Sequence, residues 1–381
     1  MDAFKMKRLG LIMEPEPGNP LEEDGVLNPA AARSPDGELY LFPRLVAKGN
    51  YSRIGIARVR FDAAGDPVGV ERMGIALEPE EDYELHPNGG GCEDPRVTFV
   101  EKLQHYVMTY TAFSVQGPRI ALAKSKDLIH WERLGLASFS PYKDIPFEGI
   151  DDKDASIFPL AVSGPTGHKR IALLHRPLFP GTHPEETVKK SQKHSRKVDV
   201  NHESIWISYC SLDLDTKNDD HFGKFTFHHR LASPAEPWEM LKIGGGAPPI
   251  LTRHGWLLIY HGVSETEVSG NDKERMCYAA GAMILSKEHP QRIKYRSVEP
   301  VLTPDTPHER IGIVDDVVFP TGLDRRDDLG MPHRIDVYYG MADKRIGVAK
   351  LEVPEFLPAG AKIDAPGKIH RATPKRRPTV K

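Results

Sequence analysis

The chain has 381 residues, of which 39% are hydrophobic and 28% are charged, and its formal net charge is −3 at pH 7. This balance argues against nucleic acid as a partner, and the lack of any apolar run of about 18 residues argues against a membrane span. Its 33 glycines and 33 prolines predict many tight turns between short elements, which excludes a bundle of long helices.

Short apolar segments rich in Val, Ile, Leu, Tyr and Phe follow one another along the chain, separated by clusters of Gly, Pro, Asp and Asn. Their spacing leaves no room for crossover helices, which predicts an all-β fold. In chain order, the segments are ELYLF, RIGIARV, RVTFV, YVMTYTA, RIALAK, RIALLHR, SIWISYC, WLLIYHGV, IDVYYGM and RIGVAKLEV.

A weak repeat, in which polar or small residues open one strand and an aliphatic and aromatic strand follows, occurs five times. The second strands lie near residues 40, 108, 173, 258 and 338, a period of roughly 65 to 85 residues that suits a four-stranded propeller blade. The repeat predicts a five-bladed β-propeller whose opening residues converge on one axial pocket; a two-sheet β-sandwich is the alternative. The openings are Asn28-Pro-Ala, Glu93-Asp-Pro-Arg, Asp154-Ala-Ser-Ile, Gly246-Ala-Pro-Pro and Asp316-Val-Val-Phe.

Three segments fall outside the repeat and divide the chain around a catalytic domain at residues 25–353. Residues 1–24 form an N-terminal extension, residues 181–202 a polar insertion, and residues 354–381 a basic C-terminal tail. We expect the insertion to be a solvated loop, with a lid or a subunit contact as alternatives. A homo-oligomer built through these segments is left open.

The cysteines and the N-terminus bear on compartment and metal content. Cys92, Cys210 and Cys277 are odd in number and widely spaced, which predicts neither a disulfide framework nor a zinc site. The N-terminal residues contain no apolar core long enough for a secretory signal. We therefore expect a cytoplasmic protein without a metal.

The predicted pocket would combine carboxylates, amides, aromatic hydroxyls and cations. Amides and carboxylates bind sugar hydroxyls, whereas Arg and Lys bind phosphate oxygens. This mixture predicts a polyhydroxylated ligand next to an oxyanion. The candidates are Asn28, Arg44, Asp94, Lys153, Asp154, His175, Arg176, Lys242, Tyr260, His261, Tyr278, Asp316, Tyr339 and Asp343.

Nine motifs, in order along the chain, resemble those of glycoside hydrolase family 130, the inverting β-mannoside phosphorylases and related β-mannosidases, which are five-bladed β-propellers. A single motif would be weak evidence for this resemblance, but nine motifs in the same order are specific evidence for it. The motifs are Asn28-Pro29-Ala30, Gly91-Cys-Glu-Asp94-Pro95-Arg96, Asp152-Lys153-Asp154-Ala155, Leu174-His175-Arg176-Pro177, Leu241-Lys242-Ile243-Gly244, Leu258-Ile-Tyr260-His261-Gly262-Val263, Tyr278-Ala-Ala-Gly281-Ala282, Asp316-Val-Val-Phe-Pro320 and Tyr338-Tyr339-Gly340-Met-Ala342-Asp343.

The resemblance implies a role for each matching position. Asp94 would be the proton donor, acting through the 3-hydroxyl of the mannosyl unit, and inorganic phosphate would be a co-substrate with no further cofactor. One departure stands out, because Lys153-Asp154 occupies a position where phosphorylase motifs often read Arg-Asn. The implied phosphate-binding residues are Lys153, Arg176, Lys242 and His261. The implied substrate-binding residues are Asn28, Arg44, Tyr278, Asp316 and Asp343.

The function expected on this basis is phosphorolysis of a β-mannoside to α-mannose 1-phosphate and a shortened sugar. Inverting cleavage needs an acid for the leaving oxygen and a nucleophile on the opposite face of the sugar, and phosphate is already anionic. Two alternatives remain: a hydrolytic β-mannosidase of the same family, in which a carboxylate such as Asp154 activates water, and a non-catalytic carbohydrate-binding propeller. The linkage and the acceptor sugar are not predicted.

Overall fold

The computed structural model describes residues 4–141, 147–179, 202–210, 222–266 and 275–358, and within them the protein is an all-β fold. The all-β prediction is thereby confirmed. The described residues contain one short α-helix, α1 (Pro307–Arg310), and none of their helices is long and apolar enough to cross a membrane.

The described strands form five units, numbered along the chain and flanked by short additional strands. The first strand is β1 (Met6–Met13). Unit 1 comprises β2 (Gly25–Arg33), β3 (Leu39–Ala47), β4 (Tyr51–Phe61) and β5 (Pro67–Leu77). Unit 2 comprises β6 (Gly90–Val100), β7 (His105–Ser114), β8 (Gly117–Ser125) and β9 (Glu132–Leu136).

The remaining units follow the same pattern, with small strands inserted. Next come β10 (Ser138–Phe139), β11 (Asp151–Ile157), β12 (Val162–Ser163), β13 (Lys169–Arg170), β14 (Ala172–Leu178), β15 (Ile205–Cys210) and β16 (Lys224–Ala232), of which β11, β14, β15 and β16 form unit 3. Unit 4 comprises β17 (Lys242–Gly245), β18 (Ile250–Thr252), β19 (Gly255–Thr266), β20 (Arg275–Leu285) and β21 (Ile293–Arg296). Unit 5 comprises β22 (Val318–Arg325), β23 (Arg334–Met341) and β24 (Arg345–Glu352).

Strand β1 lies far from unit 5 in sequence but pairs antiparallel with β24, so it supplies the fourth strand of that sheet. It belongs to the segment predicted as an N-terminal extension. The predicted second strands of the five repeats lie in β3, β7, β14, β19 and β23. Of the other predicted segments, residues 181–201 and 359–381 lie outside the described residues.

The units contact one another in order along the chain, and unit 5 also contacts unit 1. Strand β2 touches both β6 and β22, β6 touches β11, β11 touches β17, and β20 touches β22. Five hydrophobic clusters fill the spaces between consecutive units and between units 5 and 1. The inner strands of the units are therefore buried on both faces, which explains their nearly continuous apolar runs in the sequence.

The first strands of units 1, 2 and 3 share a β-bulge at the polar residue that opens the repeat. The pairing register shifts between Leu27 and Ala30, between Glu93 and Arg96, and between Lys153 and Ser156. The bulged residues Asn28, Asp94 and Asp154 have φ of 45°, 46° and 56°. Asn and Asp tolerate this left-handed conformation better than other non-glycine residues, and bulges redirect a side chain away from the sheet pattern.

Candidate active site

Asp94 lies at the centre of a group that we call the acid cluster, formed by Asn28, Arg44, Glu93 and Asp94. The Asn28 Nδ2 atom donates a hydrogen bond of 2.8 Å to Asp94 Oδ1, and Arg44 Nη1 lies 3.3 Å from the same oxygen. The Asp94 side chain is 14% exposed, so a ligand can reach it. The bulges of β2 and β6 thus bring together two residues that are 66 positions apart.

The electrostatics of Asp94 follow from this arrangement. Burial alone would raise its pKa, but the positive charges of Arg44 and Arg96 and the hydrogen bond from Asn28 outweigh burial and lower it. The carboxyl is therefore ionised in the ligand-free protein at neutral pH. Gly340 leaves room for Asn28, because a Cβ atom there would lie 2.1 Å from Asn28 Oδ1.

Glu93 holds two of the predicted cations beside Asp94. Its Oε1 accepts a hydrogen bond of 2.8 Å from Arg44 Nη2, and its Oε2 lies 4.0 Å from Lys153 Nζ. The Lys153 ammonium also lies 5.7 Å from the centre of the Phe113 ring. Lys153, predicted to bind phosphate, therefore borders the acid cluster.

Asp343 faces the acid cluster from unit 5. The pKa of Asp343 is raised to about 6, mainly by burial; the charge of Arg44 opposes this rise, and the carboxylates of Asp94 and Glu93 add to it. Two carboxyl groups near each other therefore differ in charge: Asp94 is ionised, whereas Asp343 gains a proton in mildly acidic solution.

A second group, the cation cluster, consists of Asp154, Arg176, Lys242 and His261. Arg176 Nε donates a hydrogen bond of 2.5 Å to Asp154 Oδ2, and His261 Nε2 lies 3.6 Å from the same oxygen. Arg176 Nη1 also contacts Glu203 Oε2. Asp154 adjoins these cations directly, and they hold its pKa well below its usual range although burial alone would raise it.

Burial disfavours the protonated forms of Lys242 and His261 and lowers the pKa of both side chains. The pKa of Lys242 is lowered to about 8, mainly by burial and also by the charge of Arg176, while Asp154 opposes this lowering. Burial lowers the pKa of His261 to about 3, so this ring is neutral at physiological pH. Both ring nitrogens of His261 are buried and have no hydrogen-bond partner among the described residues. The site therefore offers a protonated Lys242 and unsatisfied His261 ring nitrogens to a ligand.

Gly244 creates the space in which these side chains meet. A Cβ atom at this position would lie 2.2 Å from Asp154 Oδ2 and 2.4 Å from His261 Cε1. Strand β17 pairs with β19 so that Gly244 stands opposite His261. The Leu241-Lys242-Ile243-Gly244 motif therefore supplies both a cation and the room for its neighbours.

Arg96 connects the two clusters. Its Nη1 donates a hydrogen bond of 2.8 Å to the backbone oxygen of Asp94, and its Nε donates one of 2.5 Å to the backbone oxygen of Gly246. The positive charge lies near the carboxylates of both Asp94 and Asp154. The acid and the cations predicted from the sequence are thus brought to one region of the protein.

Tyr278 and Asp316 lie along the edge of this region, whereas the hydroxyls of Tyr260 and Tyr339 donate hydrogen bonds to two glutamates outside it. The Lys242 ammonium is 5.6 Å from the centre of the Tyr278 ring, and burial raises the pKa of the Tyr278 hydroxyl to about 12. Asp316 has a φ of 58°, and its backbone oxygen accepts a hydrogen bond of 2.9 Å from the backbone nitrogen of Tyr278. The described contacts therefore connect Asp316 to the site through its backbone.

Sequence reasoning missed three charged residues of this region. Glu93 and Arg96 flank Asp94 in a quoted motif, and their position inside it was the available signal. Glu203 follows the polar insertion, and no sequence pattern pointed to it. Among the described residues, no group of three or more His, Cys, Asp and Glu is arranged to hold a metal ion.

Comparison with known proteins agrees with this geometry. The sequence profile of glycoside hydrolase family 130, described as beta-1,4-mannooligosaccharide phosphorylase, matches residues 13–359. A 1,2-beta-oligomannan phosphorylase of Thermoanaerobacter sp. (strain X514) is 31% identical over 93% of this chain and 99% of its own length. A beta-1,4-mannooligosaccharide phosphorylase of Ruminococcus albus is 35% identical over 43% of this chain and 44% of its own length.

A solved structure has the same fold. The beta-1,2-mannobiose phosphorylase from Listeria innocua, in complex with beta-1,2-mannobiose, superposes with a TM-score of 0.64 at 22% identity and covers 91% of this chain and 97% of its own. Together with the profile match over most of the chain, these findings show that the protein belongs to glycoside hydrolase family 130.

Proposed function

We propose that this protein is an inverting phosphorylase that cleaves a β-mannoside with inorganic phosphate and releases α-mannose 1-phosphate. The observation that carries the proposal is the placement of Asp94 beside a buried cation cluster, with Arg96 between them. The relatives described above, which are named as phosphorylases of β-mannosides, support the same reaction.

In the proposed reaction, a phosphate oxygen attacks the anomeric carbon from the face opposite the leaving sugar. The bond from that carbon to phosphate forms while the glycosidic bond breaks, which inverts the configuration. Asp94 gives its proton to the 3-hydroxyl of the mannosyl unit, which passes a proton to the leaving oxygen. The shortened sugar departs with a free hydroxyl, and no second carboxylate is required.

The proton on Asp94 has to be acquired, because the carboxyl is ionised in the ligand-free protein. Binding of phosphate places negative charge near Asp94 and, with the sugar, excludes water from it. Both effects oppose the ionised form and raise the pKa of a carboxyl group. We therefore expect Asp94 to take up its proton as the substrates bind.

The cation cluster would hold phosphate in line for attack. Arg176 and Lys242 would neutralise its charge, and the neutral His261 would donate a hydrogen bond from one of its unpaired ring nitrogens. Lys153 would contact phosphate from the side of the acid cluster. We propose that the sugar contacts Asn28, Arg44, Tyr278, Asp316 and Asp343.

A five-bladed β-propeller is the architecture that we propose for the five units. The contacts from each unit to the next, the contact between β22 and β2, and the five hydrophobic clusters between units support it. In such a fold β1 would complete the last blade through its pairing with β24. We propose residues 25–353 as the catalytic propeller domain, to which the extension 1–24 contributes β1, with the insertion 181–202 and the tail 354–381 beside it.

Hydrolysis is the second candidate, because Asp154 and Glu203 place two carboxylates beside Arg176. A base that activates water must hold a proton during the reaction. The low pKa of Asp154, which the charges of Arg176 and Arg96 stabilise as an anion, makes it a weak base. The geometry therefore favours phosphorolysis.

Cytoplasmic location and homo-oligomerisation stay predictions.

The deciding experiment is incubation of the protein with β-1,2- and β-1,4-linked mannooligosaccharides, with and without inorganic phosphate. A phosphorylase forms α-mannose 1-phosphate, detected by 31P NMR, only when phosphate is present. Release of free mannose at the same rate without phosphate would identify a hydrolase. Binding of the sugars without any turnover would identify a carbohydrate-binding protein.

A further inference from the structure

A chain of buried hydrogen bonds crosses unit 3 behind the cation cluster. His175 Nδ1 lies 2.7 Å from Asp152 Oδ2, and its Nε2 lies 2.6 Å from Ser208 Oγ. Ser208 Oγ lies 2.7 Å from His228 Nδ1, and His228 Nε2 lies 2.9 Å from the backbone oxygen of Ser140. His175 and Ser208 are fully buried. Neither the proposed reaction nor the family resemblance assigns this chain a role.

Aromatic rings enclose the two histidines. The Phe139 ring stacks on His175 with a centroid distance of 4.8 Å, and the Phe147 ring stacks on His228 at 4.2 Å. Such packing excludes solvent and fixes both imidazole planes. The polar chain is thus enclosed by aromatic rings within unit 3.

The direction of each hydrogen bond follows from its final acceptor. A backbone oxygen can only accept, so His228 Nε2 carries the proton donated to Ser140. Burial lowers the pKa of His228 to about 4, so its Nδ1 is unprotonated at neutral pH and accepts from the Ser208 hydroxyl. The Ser208 oxygen must then accept from His175 Nε2.

The same reasoning determines the charge of Asp152 and His175 taken together. With the Nε2 proton of His175 directed at Ser208, the contact of 2.7 Å between Nδ1 and Asp152 Oδ2 requires a proton between them. Whether this proton is closer to nitrogen or to oxygen, the pair is neutral overall. Burial, which raises the pKa of Asp152, favours its retention.

The pair is adjacent to phosphate-binding candidates in two paired strands. Asp152 precedes Lys153 in β11, His175 precedes Arg176 in β14, and Lys153 pairs with Arg176 across the ladder. The charge of Arg176 acts on Asp152. An ionised Asp152 without the shared proton would add a negative charge beside Arg176.

Arg176 already contacts two carboxylates, Asp154 and Glu203. A third negative charge would draw the guanidinium further from any incoming anion and would repel the anion directly. The neutrality of the Asp152 and His175 pair therefore bears on whether Arg176 can bind phosphate.

We propose that Asp152, His175, Ser208 and His228 form a positioning network that retains one proton between Asp152 and His175 and thereby keeps Arg176 available for phosphate. This inference rests on the proposed function, since phosphate is the anion concerned. Ser208 and His228 act only through His175 and do not touch substrate, so they are positioning residues.

The first test compares Ser208→Ala with Ser297→Ala. Ser208→Ala removes the acceptor of the His175 proton, whereas Ser297→Ala removes a buried serine that accepts from the Ala282 backbone nitrogen in unit 4. We expect Ser208→Ala to raise the KM for phosphate about tenfold, as happens when a residue orienting a ligand-binding side chain is lost, with kcat changed less than about threefold. Ser297→Ala should leave the KM unchanged. Equal effects of the two variants on the KM would overturn the proposal.

The second test uses Asp152→Asn, which keeps a donor for His175 Nδ1 and removes the possibility of a negative charge. It should retain the phosphate KM of the unmodified protein. Asp152→Ala is equally uncharged but leaves His175 Nδ1 without its partner, so we expect it to raise the KM only through the loss of positioning. A phosphate KM raised equally by Asn and Ala would contradict the charge argument.

A third measurement does not depend on turnover. 15N NMR of the histidine-labelled full chain should show His175 protonated at Nε2, with the signal identified by its absence in His175→Gln. An unprotonated Nε2 would overturn the network. Failure of the protein to make sugar phosphate would refute the proposed function but would leave this result readable.

Discussion

The acid cluster and the cation cluster differ in how complete they are without a ligand. Asp94 already receives a hydrogen bond from Asn28 and an ion pair from Arg44. His261, by contrast, keeps two buried ring nitrogens without partners among the described residues, and Lys242 is held at a lowered pKa. The protein itself positions the carboxyl of Asp94, whereas the cation cluster leaves buried polar atoms without a partner among the described residues. The four variants below test this difference, beginning with the largest expected effect.

Asp94→Asn removes the proposed proton donor and should reduce kcat by about 1,000-fold to 10,000-fold, the upper range for a general acid. Binding of substrate should persist, because Asn can still accept from Asn28. Steady-state kinetics together with calorimetric binding of a mannooligosaccharide would test this. Asp127→Asn, in the turn between β8 and β9, is the control and should retain full activity. Activity within tenfold of the unmodified protein would mean that the acid is elsewhere.

Gly244→Ala should damage the cation cluster and spare the acid cluster. The added Cβ would collide with Asp154 and His261 and force these side chains to move. A loss of about 1–3 kcal/mol in phosphate binding corresponds to a rise of about 10-fold to 100-fold in the KM for phosphate. Gly245→Ala is the matched control, since its Cβ would meet only the backbone oxygen of Asp154 at 3.2 Å. Equal KM values for the two variants would contradict the proposed crowding.

Phosphate affinity should depend on the proton of Lys242. The pKa of this lysine is lowered to about 8, so the charged form predominates below pH 8 and is lost as the pH rises through that value. The KM for phosphate should then increase by up to about tenfold per pH unit above pH 8. Lys242→Met should have a higher KM throughout and lack this rise. Because phosphate ionises identically in both assays, an identical pH profile would exclude Lys242.

Glu93→Gln should have the smallest effect of the four. It weakens the contacts of Glu93 with Arg44 and Lys153 while keeping their shape, and a weakened charge-assisted hydrogen bond should reduce kcat by about tenfold. The KM for phosphate should change less than kcat, since Glu93 contacts the acid cluster. A larger change in KM than in kcat would place Glu93 in the anion site instead.

Much of the fold was predictable because its signals are local. Short β-branched and aromatic runs between Gly and Pro predicted the strands, and the repeated polar openings predicted the positions of Asn28, Asp94 and Asp154. The bulges at these residues explain the success: the left-handed conformation restricts the residue to a few types, which leaves a mark in the sequence. The pairing of β1 with β24 left no such mark, because a strand does not encode its distant partner.

The candidate site was predictable only as a set of residues. The motifs identified Asp94, Arg176, Lys242 and His261, but not how they are paired. The close contact of Arg176 with Glu203 was missed because Glu203 follows the polar insertion and belongs to no recognisable motif. The position of Lys153 beside Glu93 also depends on the register between β11 and its neighbours, which no local pattern specifies.

The sequence by itself determined the all-β class, the repeated strand openings and the residue types that a sugar and an anion require. These follow from backbone conformation and side-chain chemistry, which act over a few residues. Only the tertiary structure decided which charges meet, that Arg96 stands between Asp94 and Asp154, and that His261 is buried and neutral. Burial and charge pairing depend on distances between units far apart in the chain, so they arise only when the units pack.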